Sequence, residues 1–376
     1  MTRVAILGAG NGGMTLAAHL GLDGHEVRLF EFSEYADFAA LREQGGVRIS
    51  GVEKQGCGPV KVATTDIGEA VRGAEILLNP VPAYAFERFA RAAAPHLEDG
   101  QVVVVMGKGG GSVTWAQALR EARTGTGPAR AVILGETNTL LHGCRKLGPA
   151  EVTVFGVIQE NVIAAFPGKH TDRVREAMKA LFPTRDFRRA PNLFESVLLD
   201  FNAITHTGPM ICNAARIDSG YRREEFHLFG RDENPPAVCH VIEAIDRERM
   251  ALSHALGIEA VGLEVEHTRN KYNPGHAGDR VLPMYESMHT EKLEKVPGPY
   301  SLKARHLTED VPYGLVTWAS LGRMLGVPTP ASEAIITLAS ILNGEDYWAM
   351  GRTVEKMGID PKWSKERLLR YLEEGQ

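Results

Sequence analysis

The stretch RVAILGAGNGGMTLAAHL, residues 3 to 20, limits what this chain can fold into more than any other. A short apolar run ends at Gly8, and Gly8, Gly10 and Gly13 then stand in GxGxxG spacing ahead of a helical pattern. Each glycine has its own reason there. The first permits a tight turn, the second lets a pyrophosphate approach the backbone, and the third lets the helix pack closely on the strand. Asn11 and Gly12 complete the turn, where the helix amino terminus offers unpaired N–H groups and the positive end of its dipole to phosphate. The next apolar run, EVRLFE, ends at Glu31, the place where an acid accepts hydrogen bonds from an adenosine ribose. A carboxylate there repels a 2'-phosphate, and no arginine follows immediately in FEFSEYADF, so NAD(H) is expected over NADP(H). A solvated strand-end role for Glu31 is the alternative at this point.

Apolar runs continue at AEILLNPVP (74 to 82), QVVVVMGKGG (101 to 110), AVILGE (131 to 136) and EVTVFGV (151 to 157), separated by helical patterns. Such alternation predicts a mostly parallel sheet with helices on both faces. Ligands of these sheets sit beyond the carboxyl ends of the strands, so Pro82, the GKGGG loop and Glu136 are expected to line the nicotinamide half of a cofactor. After about residue 185 the apolar spacing becomes helical, as in AVCHVIEAIDRERMALSHALGI and ASEAIITLASILNG. The break falls at RRAPN (188 to 192), which predicts a nucleotide-binding domain over 1 to 188 and an all-α domain over 189 to 376. Residues 267 to 308 lack periodicity and suggest a substrate-covering loop.

Composition narrows the function class. A length of 376 residues suffices for two separate cores. A net charge of -5 with mixed signs leaves no basic footprint for nucleic acid or anionic lipid, so small-molecule partners are expected. The four cysteines show no metal-type spacing, and no leader or membrane span is evident, so a cytoplasmic protein with reduced thiols is expected. A homodimer is compatible with the apolar helices.

FNAITHTGPMICNAAR (201 to 216) is an apolar helical stretch that accepts His206 near its middle. Asn202 lies one turn earlier on the same face, and Pro209, lacking an N–H, cannot bond the carbonyl of Thr205 and should kink the helix. A lone buried histidine is more often a satisfied core residue than a catalyst; a carboxylate partner that fixes its tautomer reverses those odds. HLTEDVPYGLV (306 to 316) supplies two candidates, Glu309 and Asp310.

Taken together, LGAGNGG (7 to 13), GETNTLLHGCR (135 to 145), NAITH with NAAR (202 to 216), EDVPYGLV (309 to 316) and LGVPTP (325 to 330) resemble the opine dehydrogenases of the octopine/nopaline dehydrogenase family. The resemblance covers nearly all of the chain. It implies a Rossmann-type α/β domain followed by an all-α C-terminal domain, and NAD(P)H-dependent reductive condensation of an amino acid with a 2-oxo acid. It also implies His206 as the acid–base residue, with Asp310 as its orienting partner. A product with two or more carboxylates needs cationic receptors, for which Arg216, Lys303 and Arg305 are available, with Asn202 for a polar group. The rival readings are a 2- or 3-hydroxyacid dehydrogenase of related build and a nicotinamide-binding sensor without turnover.

Overall fold

The computed structural model describes residues 1–122, 131–158, 160–220, 225–266, 283–289, 294 and 297–376, so most of the stretch expected to cover substrate lies outside the described residues. The chain divides into two compact units, 1–197 with 369–376, and 198–368. The division differs from the expected break at 188/189. Residues 189–197 belong with the first unit, and so do the last eight residues.

The first unit holds a sheet of eight strands: β1 (Arg3–Leu7), β2 (Glu26–Phe30), β5 (Val62–Thr64), β6 (Ile76–Asn79), β7 (Val102–Val105), β8 (Ile133–Thr137), β11 (Glu160–Ala165) and β12 (Asp186–Arg189). Their order is β12-β11-β8-β7-β6-β1-β2-β5. The pairs from β5 to β8 are parallel, as expected of a Rossmann-like sheet, and β11 joins β8 antiparallel. The central strands are apolar without alternation, because both faces are covered: all four residues of β6 and all four of β7 are buried.

Four further strands form a second sheet: β3 (Gly46–Gly51), β4 (Gly56–Pro59), β9 (His142–Gly148) and β10 (Glu151–Val157), in the order β4-β3-β10-β9. The run EVTVFGV is therefore a strand, but of this sheet and not of the parallel one. The second sheet packs on helix α1 (Asn11–Leu22), whose other side rests on β1 and β2. That explains why Gly12 through Gly21 are all buried: a helix walled on two sides is apolar all round.

The second unit is helical. Its frame is Pro236–Ala255, Val316–Leu325 and Pro330–Asn343. The last of these begins without a side-chain cap of its own. Glu248 of the first supplies one instead, accepting from the N–H of Ala331 at 2.6 Å and of Ser332 at 2.9 Å. No helix among the described residues is long and apolar enough to cross a membrane.

Candidate active site

The glycine turn is built as its spacing requires. Gly8 has φ +117, a conformation L side chains rarely adopt, and its N–H bonds the carbonyl of Phe30 at 2.9 Å. A Cβ on Gly13 would lie 1.8 Å from the Gly8 carbonyl oxygen, whereas one on Gly10 would meet nothing within 4 Å. Gly10 therefore faces open space at the start of α1, whose first turn carries no acidic residue and no side-chain cap. Asn11 is anchored by its side chain, which accepts from the N–H of Lys146 at 2.9 Å. Gly12 is buried beside Leu140 and Pro80. Pro82 is half-buried and opens a short helical turn, Ala83–Ala85.

Glu31 sits at the end of β2 with both oxygens engaged, accepting from the N–H of Ala9 at 2.7 Å and of Phe32 at 2.9 Å. These bonds fix the carboxylate beside the glycine turn. Arg88, which no local pattern flags, comes from helix Phe86–Ala93 to pair with Glu34 and stack 3.7 Å over the ring of Phe32.

Glu136 was expected to line the nicotinamide half of a cofactor. It is 0% exposed. Its oxygens accept from Gly110 N–H at 2.8 Å, Ser112 N–H at 2.8 Å, Ser112 Oγ at 2.6 Å and the Ser196 hydroxyl. A buried carboxylate must be paired, and this one ties the 107–111 loop to β8.

In the second unit, His206 and Asp310 meet: His206 Nδ1 lies 2.7 Å from Asp310 Oδ2, with side chains 11% and 4% exposed. Two local features bring them together. The expected single helix is broken at His206 into Asn202–Thr205 and Thr207–Cys212, as Pro209 cannot donate to Thr205. Asp310 begins the π-helical turn Val311–Leu315, a distortion frequent at functional sites. Gly314 in that turn allows the approach, since a Cβ there would stand 2.7 Å from Cβ of Ala203. The ring of His306 packs edge-on against His206 at 4.5 Å, with Phe229 at 5.9 Å. The only sequence signal for His306 is its i, i+4 spacing from Asp310, which puts the two on one helical face.

A carboxylate acceptor at Nδ1 fixes a proton on that nitrogen and leaves Nε2 with a lone pair. Among the described residues Nε2 has no hydrogen-bond partner. Asn202 is exposed one turn before the histidine. Arg305 is 60% exposed at the guanidinium side chain and only loosely paired with Glu309, at 3.7 Å. Arg216, the other expected carboxylate receptor, is ion-paired to Glu233, itself 3% exposed, and stacks 5.5 Å from Phe226.

Sequence models of known families match stretches of both units. The sequence model of the NAD/NADP octopine/nopaline dehydrogenase alpha-helical domain matches residues 189–343. That of the NAD-dependent glycerol-3-phosphate dehydrogenase N-terminus matches residues 3–135. Opine dehydrogenase of Arthrobacter sp. (strain 1C) is 30% identical over 357 residues, 94% of each chain. The chain belongs to the octopine/nopaline dehydrogenase family. Octopine dehydrogenase of Mizuhopecten yessoensis is 26% identical, over 94% of this chain and 93% of that one. The fold agrees. A solved octopine dehydrogenase with NADH and L-arginine superposes with a TM-score of 0.78 at 19% identity, over 98% of each chain. An NADP+-bound yersinopine dehydrogenase gives 0.70 at 14%, over 99% of this chain and 98% of that one. The chain is thus an NAD(P)-dependent oxidoreductase of the opine dehydrogenase type, a family whose members condense an amino acid with a 2-oxo acid.

Proposed function

We propose that His206 is the acid–base residue of this condensation, that Asp310 orients it, and that NADH is preferred to NADPH. The observation that carries the assignment is the 2.7 Å contact between His206 Nδ1 and Asp310 Oδ2. Forming an imine from an amine and a 2-oxo acid releases water, and a proton must reach the departing hydroxyl near neutral pH. Nε2 of His206 is the nitrogen placed to hold and give that proton, while Asp310 stabilises the imidazolium. In the reverse direction Nε2 takes a proton from the secondary ammonium before hydride leaves, gives it up to solvent, and then takes one from the water that attacks the imine. Arg305 receives a substrate carboxylate through its two-pronged guanidinium, and Asn202 bonds a substrate polar group.

The first unit fits a dinucleotide: open space at Gly10, an uncapped amino terminus on α1 for the pyrophosphate, and the fixed carboxylate of Glu31 for the ribose hydroxyls. When bound, the nicotinamide supplies the hydride. Glu31 disfavours a 2'-phosphate, and the neighbouring Arg88 is already paired with Glu34. NADH is therefore expected to bind at least tenfold more tightly than NADPH; equal dissociation constants would remove this preference.

The deciding experiment is NADH oxidation with pyruvate or another 2-oxo acid, with and without a panel of amino acids, followed by mass analysis of the product. The expected result is turnover that requires the amine and yields a secondary-amine dicarboxylate. Turnover indifferent to the amine would favour a hydroxyacid dehydrogenase, and cofactor binding without turnover a sensor.

A further inference from the structure

A second cluster of chemically able side chains lies in the first unit, away from the glycine turn: the helical rise puts about 13 Å between Gly10 and His19. His19 comes from the last part of α1, Glu53 from the connection between β3 and β4, and His142 from the first residue of β9. One ligand atom from each can be chosen so that all lie within 4.8 Å of one another. His19 and His142 are 5% and 4% exposed.

Two contacts in this cluster lack the protons that would make them favourable. Asp23 Oδ2 stands 3.2 Å from His19 Nε2, which puts the ring proton on Nε2 and leaves Nδ1 with a bare lone pair. That Nδ1 is buried, has no hydrogen-bond partner, and is 3.7 Å from Glu53 Oε2. His142 Nε2 lies 2.9 Å from the same oxygen and 3.1 Å from Arg185 Nη2. A carboxylate only accepts and a guanidinium only donates, so no tautomer of His142 satisfies both. Two imidazole nitrogens and a carboxylate oxygen therefore converge on a common point.

We propose that His19 Nδ1, Glu53 Oε2 and His142 Nε2 bind one divalent transition-metal ion of the zinc class. Zinc bonds of about 2.0–2.1 Å in tetrahedral geometry separate ligand atoms by about 3.3 Å, and the contacts of 2.9 and 3.7 Å bracket that value. The surroundings orient the ligands. Asp23 holds the His19 ring, and Arg185 binds the other oxygen of Glu53 at 2.7 Å, leaving Oε2 for the metal. Imidazole ligands select zinc, nickel or copper over magnesium or calcium. Arg185, together with Lys54 beside Asp23, offsets part of the acidic charge and keeps the affinity below that of a dedicated structural zinc centre. The ion would pin the β3–β4 connection and β9 to the helix that carries the dinucleotide turn.

The test uses the full chain stripped with chelator and then titrated with zinc chloride against a chromophoric competitor. The wild type is expected to bind one equivalent, and Glu53→Gln and His142→Gln to weaken binding at least tenfold while NADH affinity and circular dichroism are unchanged. X-ray absorption of the zinc-loaded wild type reads the ligands without any substitution, and two imidazoles are expected. No bound equivalent in the wild type, a spectrum without two imidazoles, or unaltered binding in both folded variants would each overturn the proposal.

Discussion

Replacing Asp310 by Asn keeps the shape of the side chain and removes its charge, so it isolates what the carboxylate does for His206. In the native pair, Oδ2 accepts from Nδ1 at 2.7 Å, both groups being almost fully buried. An imidazolium formed during proton transfer has its charge centre roughly 4 Å from that of the carboxylate. At an effective dielectric of about 20 the attraction is worth about 4 kcal/mol. The asparagine also offers an N–H₂ to Nδ1, which moves the ring proton to Nε2 and takes away the lone pair there. At about 1.4 kcal/mol per decade, kcat/KM for the amine and oxo acid should fall by about 10³, with the NADH dissociation constant within twofold of wild type. Stopped-flow turnover across pH 6 to 10, alongside fluorescence titration with NADH, reads both quantities. A variant within tenfold of wild type at every pH would show that Asp310 only packs against the ring and that another group sets its state.

Four further outcomes follow from contacts already described. Glu136→Gln should lower the unfolding free energy by about 1–3 kcal/mol for each buried donor left without an acceptor, measured in guanidinium, because an amide cannot serve all four donors that now converge on the carboxylate. Arg305→Gln should raise KM for a carboxylate substrate at least tenfold with stability unchanged. Arg216→Gln should do the reverse, leaving KM within twofold and lowering the melting temperature by stranding Glu233. Acid should destabilise the first unit early. Burial, then the charges of Lys54 and His142, hold His19 down from 6.5 to about 4. Glu53 is held at about 2, burial opposing but outweighed by His142 and Arg185. Both groups bind protons less readily folded than unfolded, so this stability is present above pH 6.5 and is lost as pH falls toward 2. Calorimetry in the presence of chelator should show a falling melting temperature from pH 6.5 to 4, and a flat profile would contradict it.

Local patterns reported local structure well. The dinucleotide turn, β1, β2 and the acid after β2 were readable because every requirement falls within about 30 consecutive residues. The long helices were readable from their spacing. The His206–Asp310 pair was readable only as two segments, since nothing in the sequence states that the N–H missing at Pro209, the π-turn at 311–315 and the missing Cβ of Gly314 make them converge. Partners distant in sequence were illegible. The Ser196 hydroxyl on Glu136 and the Glu233 carboxylate on Arg216 are two such partners. The second sheet was missed because β4, GCGP, has no alternation to read, and β10 has the same apolar signature whichever sheet it joins.

The chain leaves the nucleotide-binding unit at Val197 and returns to it at Leu369. The returning segment is not ornamental: Tyr371 and Leu372 are buried, the Tyr371 ring lies 5.1 Å from Phe166, and its hydroxyl accepts from Gln117 at 3.2 Å. During synthesis, then, the dinucleotide half cannot complete its core when its own strands have left the ribosome. It waits, with Phe166 uncovered, until the whole helical unit has been translated.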